Sequence, residues 1–130
     1  MIVVDASAVL ELLLRTPASA LVGERLLDPR ETLHAPHLLD VEVTQVLRRY
    51  AANGDIDSER GEAALADLAD LPVHRYPHDF LLSRVWGLRH NLTAYDAVYV
   101  ALAEALDAPL LTRDQRLAGA PGHHARIETI

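Results

Sequence analysis

Five short runs rich in apolar or β-branched residues, Ile2-Val3-Val4, Leu33 to Pro36, Pro72 to Tyr76, Leu110-Leu111-Thr112 and Arg126 to Thr129, alternate with longer segments of helical periodicity. Strands separated in this way cannot pair as tight hairpins. They need crossover connections, and crossovers build a mostly parallel sheet of about five strands covered by helices on both faces. In such a sheet ligands bind outside the carboxyl ends of the strands. Asp5 and Asp114 stand at or just beyond two of those ends.

The helical segments have readable limits. Ser7 suits the N-cap of a helix reaching about Leu14, and Pro17 opens a second helix to about Leu27. A long amphipathic helix spans about His37 to Ala52 and is stopped by Asn53-Gly54. Further helices are expected over Ser58 to Asp70, Asp79 to His90 and Thr93 to Leu106, with Asn91 as a left-handed stop between the last two. A short helix, about Gln115 to Ala118, follows Asp114.

A chain of 130 residues without internal repeat or long linker is expected to form one domain, residues 1–130. With no cysteine, disulfides, thiolate metal sites and cysteine nucleophiles are excluded. The twelve basic residues are all arginine. Without lysine there is no Schiff-base chemistry, no P-loop, and no phosphoryl-transfer centre that pairs an aspartate with a lysine. The acid at position 5 and the interruption of Ala8 to Leu14 by Glu11 argue against a secretory signal or a membrane span, so a cytoplasmic protein is expected. A formal net charge of −7 argues against grip on nucleic acid through a broad basic face. An enzyme of nucleic acids with this balance needs bound cations and a few local arginines.

Four acids stand out by position, and each has a plain structural alternative. Asp5 either accepts backbone N–H groups in the turn entering the first helix or serves as a rigid metal ligand at a strand end, with Ser7 as supporting hydroxyl. Glu42 projects between Leu38 and Val46, inside the apolar stripe of its helix. An inward glutamate needs a partner: a buried ion pair, with Arg49 as one candidate, or a cation. Asp40, on the polar face, is expected to be solvated. Asp96 is either a capping-box acid three residues after Thr93 or a ligand bordering the cleft beside an almost wholly apolar helix. Asp114 is either the N-cap of the short helix or the acid of a strand-mouth group, Thr112-Arg113-Asp114.

If these groups converge, mutual repulsion decides the chemistry. Two unit charges about 5 Å apart repel by roughly 3 kcal/mol at an effective dielectric near 20. Such a cluster takes up protons or binds cations, and hard oxygen donors without cysteine select Mg²⁺ or Mn²⁺. Those ions suit phosphodiester cleavage by an activated water.

The segments IVVDAS, LLDVEVTQVL, LTAYDAVYVALAEAL and PLLTRD, taken in order, closely resemble the PIN-domain family, and more narrowly the VapC ribonuclease toxins of bacterial VapBC pairs. The resemblance covers essentially the whole chain. It implies a three-layer α/β/α fold with strand order 3-2-1-4-5 and an Mg²⁺- or Mn²⁺-dependent endoribonuclease. It also implies a homodimer, inhibited by a VapB-type antitoxin. By position Asp5, Glu42, Asp96 and Asp114 match the family's acidic quartet, with Ser7 and Thr112 as supporting hydroxyls. Some relatives carry another acid two residues after the last aspartate; here that position is Arg116, which bears on a second metal site. Arg89, Arg113 and Arg116 are candidate RNA contacts, or else solvated arginines. His123-His124 is expected to be a solvated turn, and Trp86 and Tyr99 core or dimer-interface residues. A structure-specific DNA nuclease or a non-catalytic binding module are the competing functions.

Overall fold

A computed structural model describes all 130 residues, Met1–Ile130. The strands β1 (Ile2–Val4), β2 (Leu33–Pro36), β3 (Val73–Tyr76), β4 (Leu110–Thr112) and β5 (Ile127–Thr129) form one sheet in the order β3-β2-β1-β4-β5. Every neighbouring pair is parallel. The helices are α1 (Ala6–Leu13), α2 (Ser19–Leu26), α3 (Leu38–Ala52), α4 (Ser58–Asp70), α5 (Leu82–Gly87), α6 (Ala94–Leu106) and α7 (Gln115–Gly119). This is the expected α/β/α sandwich and strand order. No helix is long and apolar enough to cross a membrane.

The central strand is fully buried because both its edges and both its faces are covered. Ile2, Val3 and Val4 are 0% exposed, with β2 hydrogen-bonded on one side and β4 on the other. The β-branched side chains of this run fit a pleated, enclosed surface. Helix α6 lies across β1, β2 and β4, and its residues Ala97 to Ala103 are all buried. A helix apolar on every side belongs in such a layer. The first acid before that buried run is Asp96.

Four local expectations are corrected. The N-cap of α1 is Asp5, not Ser7: its Oδ1 accepts the backbone N–H of Ala8 at 3.2 Å, while Ser7 is already inside the helix. The segment Asp79 to His90 is not one helix but a 3-10 turn, Asp79–Leu81, followed by the six residues of α5. Asn91 is not left-handed; the non-glycine residues with positive φ are Arg15, φ 53°, after α1 and Asp107, φ 49°, at the end of α6. Asp40 is not simply solvated, for Arg75 of β3 grips both its carboxylate oxygens at 2.7 and 3.0 Å. That last pairing joins residues far apart in sequence, which a helical projection does not register.

Candidate active site

The carboxyl ends of β1 and β4 meet side by side, Val4 in register with Leu111, and the backbone N–H of Asp5 donates to the Leu111 carbonyl. Asp5 thereby leaves β1 at a fixed angle beside Thr112. Its Oδ1 accepts the Ser7 hydroxyl at 2.6 Å and its Oδ2 accepts the Thr112 hydroxyl at 2.5 Å. Thr112, fully buried, in turn accepts the backbone N–H of Asp114 at 3.0 Å, and Ser7 accepts that of Arg113 at 2.9 Å. Two hydroxyls thus fix one carboxylate and the turn carrying another.

Glu42 reaches the same region from α3. Its partner is the phenol of Tyr99, which donates to Oε1 at 2.6 Å, rather than Arg49, whose guanidinium lies over Tyr50. Tyr99, only 2% exposed, is a core residue of α6 and also Glu42's anchor. Sequence reading placed Tyr99 in the core without seeing this bond, since the pair is 57 positions apart. Asp96 stands in the first turn of α6, where Thr93 caps the helix by accepting its backbone N–H. Asp114 caps α7, accepting the Arg116 backbone N–H at 2.9 Å.

Asp5 and Asp114 therefore act as helix caps, whereas Glu42 takes Tyr99 in place of an arginine and the Asp96 carboxylate closes no capping box. The electrostatics show what their burial costs. Burial pushes the Asp5 carboxyl above the ordinary carboxylate range, against the pull of Ser7 and Thr112. Burial, then the charges of Asp5 and Asp96, push Glu42 up, with Tyr99 opposing. Burial, then Asp114, push Asp96 up, with Arg116 and Thr93 opposing. Asp114 alone is lowered, chiefly by its hydrogen bonds from Arg116. Asp5, Glu42, Asp96 and Asp114 thus form a chain of electrostatic neighbours drawn from separate elements. Stabilised anions would show the opposite shifts.

A cleft of about 140 Å³ opens at one end of this chain, lined among others by Asn91, Thr93, Asp96, Asp114 and Arg116. Asp5 and Glu42 are not among its walls. Asn91, read from sequence as a helix stop, is here a cleft residue whose amide packs over Gly122; a Cβ at that positive-φ glycine would stand 2.8 Å from Asn91 Nδ2. Of the candidate RNA-contacting arginines, only Arg116 lines the cleft. Arg113 turns to Glu11 and the Ile130 carbonyl, and Arg89 lies over the Trp86 ring at 4.5 Å. His123 accepts the Ala125 backbone N–H through Nδ1 while its Nε2 is buried without a partner, so of the expected solvated pair only His124 is exposed.

A PIN domain family profile matches residues 2–122. The chain belongs to the PIN-domain family. Ribonuclease VapC1 of Mycobacterium tuberculosis is 51% identical to it over 130 residues, covering 98% of this chain and 96% of the relative. Among solved PIN-like folds, PAE2754 from Pyrobaculum aerophilum superposes with a TM-score of 0.71 at 27% identity, covering 97% of this chain and 81% of that one. VapBC2 from Rickettsia felis, solved bound to a DNA fragment from its promoter, superposes with a TM-score of 0.73 at 15% identity over 99% and 98% of the chains, a likeness of fold.

The oxygen-only donor set of this PIN domain suits Mg²⁺ or Mn²⁺, and three of the four carboxyls carry the destabilised charge that a cation relieves. As the side chains stand, no three acidic or histidine groups are close enough to hold one ion between them. Asp5 is fixed by three hydrogen bonds, whereas the Glu42 carboxylate is held by one.

Proposed function

We propose that the chain is a divalent-metal-dependent endoribonuclease, the toxin of a type II toxin–antitoxin pair acting in the cytoplasm, and that Asp5, Glu42, Asp96 and Asp114 are its metal ligands and catalytic residues. What carries this reading is the gathering of four carboxylates around the carboxyl ends of β1 and β4, Glu42 beside Asp5 and Asp96, and Asp96 beside Asp114 on the cleft wall, with a single arginine paired among them. The VapC1 relative supports RNA as substrate.

A bound Mg²⁺ or Mn²⁺ supplies the positive field that a phosphodiester and an attacking water require at neutral pH. The protein's part is placement. Ser7 and Thr112 hold Asp5 in one orientation, Tyr99 steers Glu42, and the caps of α6 and α7 set the backbone beneath Asp96 and Asp114. In-line attack by water leaves a 3′-hydroxyl and a 5′-phosphate. With a net charge of −7, attraction of RNA is local to the ion and to Arg116 rather than spread over the surface.

Two partners accompany this reading, a VapB-type antitoxin and a second copy of the chain. An apolar face supports the second copy: Leu82 and Tyr95, both more than half exposed, line a cleft of about 170 Å³ with Leu38, Val85 and Val98, and Trp86, one helical turn from Leu82 on α5, is exposed as well. Such a patch on a small soluble protein marks an association surface.

The test is a pair of digests of single-stranded RNA with Mg²⁺, using the natural protein and Asp96→Asn, with product ends mapped and a chelator control. Cleavage by the natural protein that is lost in the variant and in chelator supports the proposal. Inactivity on RNA with cleavage of flapped DNA assigns the site to DNA instead, and equal cleavage by Asp96→Asn removes Asp96 from the chemistry.

A further inference from the structure

Three arginines approach the acidic region in sequence, yet one touches the acids. Arg116 engages both carboxylate oxygens of Asp114, with Nε 3.3 Å from Oδ1 and Nη2 3.0 Å from Oδ2, and its backbone N–H adds a third bond at 2.9 Å to Oδ1. Its charge also reaches Asp96, whose carboxyl it pulls down against burial and Asp114. No other arginine pairs with Asp5, Glu42, Asp96 or Asp114.

The lone pairs that the guanidinium holds are the ones a divalent cation at Asp114 would use. Oδ1 of Asp114 already accepts two bonds and Oδ2 one, so a metal approaching on the side the planar fork occupies, or binding both oxygens, has to displace the guanidinium. The displacement is sterically free, because the Arg116 side chain is 87% exposed and swinging it into water breaks no packing. The same exposure keeps the ion pair weak, since solvent screens it. A guanidinium left within reach also repels the incoming ion. Both effects oppose the divalent cation.

Resting on the metal-dependent reading above, we infer that Arg116 is a resident competitor for the cation: it occupies Asp114 when the ion is absent, is displaced when the ion binds, and lowers the affinity of the site. This assigns Arg116 a role opposite in sign to that of a helper. An arginine that only organised the site would weaken metal binding when removed; a competitor strengthens it.

Titration of the folded protein with Mn²⁺ alone, by calorimetry, decides between them without any activity readout. Arg116→Gln binds Mn²⁺ more tightly than the natural protein, by roughly three- to tenfold, and Arg116→Lys, which keeps the charge but loses the fork, falls between. In an Asp114→Asn background the gain from Arg116→Gln disappears, as a double-mutant cycle requires for a pairwise effect. Equal or weaker binding by Arg116→Gln, with the natural protein binding measurably, overturns the inference while leaving the metal site intact. A gain that persists with Asp114→Asn also overturns it, by assigning the effect to general charge. Absence of Mn²⁺ binding in every variant, with folding verified by circular dichroism, overturns the metal reading and this inference together.

Discussion

Thr112 donates its hydroxyl to Oδ2 of Asp5 across 107 positions of sequence, and its Oγ1 accepts the backbone N–H of Asp114. One buried side chain therefore ties the end of β1 to the turn after β4. Thr112→Val keeps the shape but leaves Asp5 short of a donor and the Asp114 N–H without an acceptor, so it costs about 1–3 kcal/mol of stability. Thr112→Ser preserves both bonds and costs less. Urea denaturation of the two variants checks this; a valine variant as stable as the natural protein would contradict the bridging role. RNA cleavage falls in the same order under the proposed function.

Tyr99 carries a comparable burden at a different acid. Tyr99→Phe removes the donor to Glu42 and leaves the carboxylate with burial and two negative neighbours opposing its charge. The Glu42 pKa rises further, and stability drops by about 1–2 kcal/mol at neutral pH. NMR titration of the Glu42 side-chain carboxyl reads the first effect, and denaturation the second.

Neutralising an acid of this cluster should stabilise the protein when metal is withheld. Glu42→Gln removes repulsion with Asp5 and Asp96 yet retains an acceptor for Tyr99, and a gain of about 0.5–2 kcal/mol is expected, as for other residues held under strain for function. Thermal melts in chelator measure it at about 4 °C per kcal/mol for a chain of this length. Added Mg²⁺ raises the melting temperature of the natural protein and not that of the variant.

The pH dependence has a defined sign. Asp5, Glu42 and Asp96 have folded pKa values above their unfolded ones, so the folded state binds more protons between the two, and stability falls as pH rises from near 4 through the raised values. Asp114 is depressed, so its contribution is present above its unfolded pKa and is lost as pH drops through the folded one. The contribution of these three acids to metal-free protein is therefore larger in mild acid than at neutral pH. It is opposed there by His34, whose pKa burial lowers, so that Glu42→Gln flattens the neutral-side decline while His34→Gln steepens it. Saturating Mg²⁺ abolishes the neutral-side decline. Denaturation midpoints across the range, with and without the ion, test both limbs.

Trp86 probes the apolar face. Trp86→Glu places a charge among Leu82, Tyr95 and the cleft they border, and shifts a self-associating protein toward monomer without loss of fold. Light scattering on a sizing column gives the mass; an unchanged mass for the natural and variant proteins removes this face from self-association.

Much of the architecture was legible from periodicity alone. Leu33 to Pro36, Ser58 to Asp70 and Leu110 to Thr112 form elements with the expected limits, because β-branched or apolar runs and clear breakers define them locally. The strand order came from the family resemblance rather than from local signals. Misread positions depend on distant partners. Whether Glu42 meets Arg49 or Tyr99, and whether Asp40 meets water or Arg75, is decided by how α3 sits on α6 and β3, which no single helix encodes. Asn91 is a residue type that tolerates the left-handed conformation, yet Asp107 and Arg15 adopt it, because the turn after each helix and not residue type alone decides where the backbone reverses. For the acids, position singled out Asp5, Glu42, Asp96 and Asp114, while the hydroxyl ties through Ser7 and Thr112 needed the sheet to be assembled.

The central strand, β1, takes its neighbour β4 from 107 positions along the chain, Val3 lying in register with Leu110. Until that pairing forms, Asp5 lacks one of its three hydrogen bonds and the turn carrying Asp114 is not held beside it. A partly folded chain therefore holds no assembled acidic cluster, since the long-range contact that completes it is also the slowest kind to form.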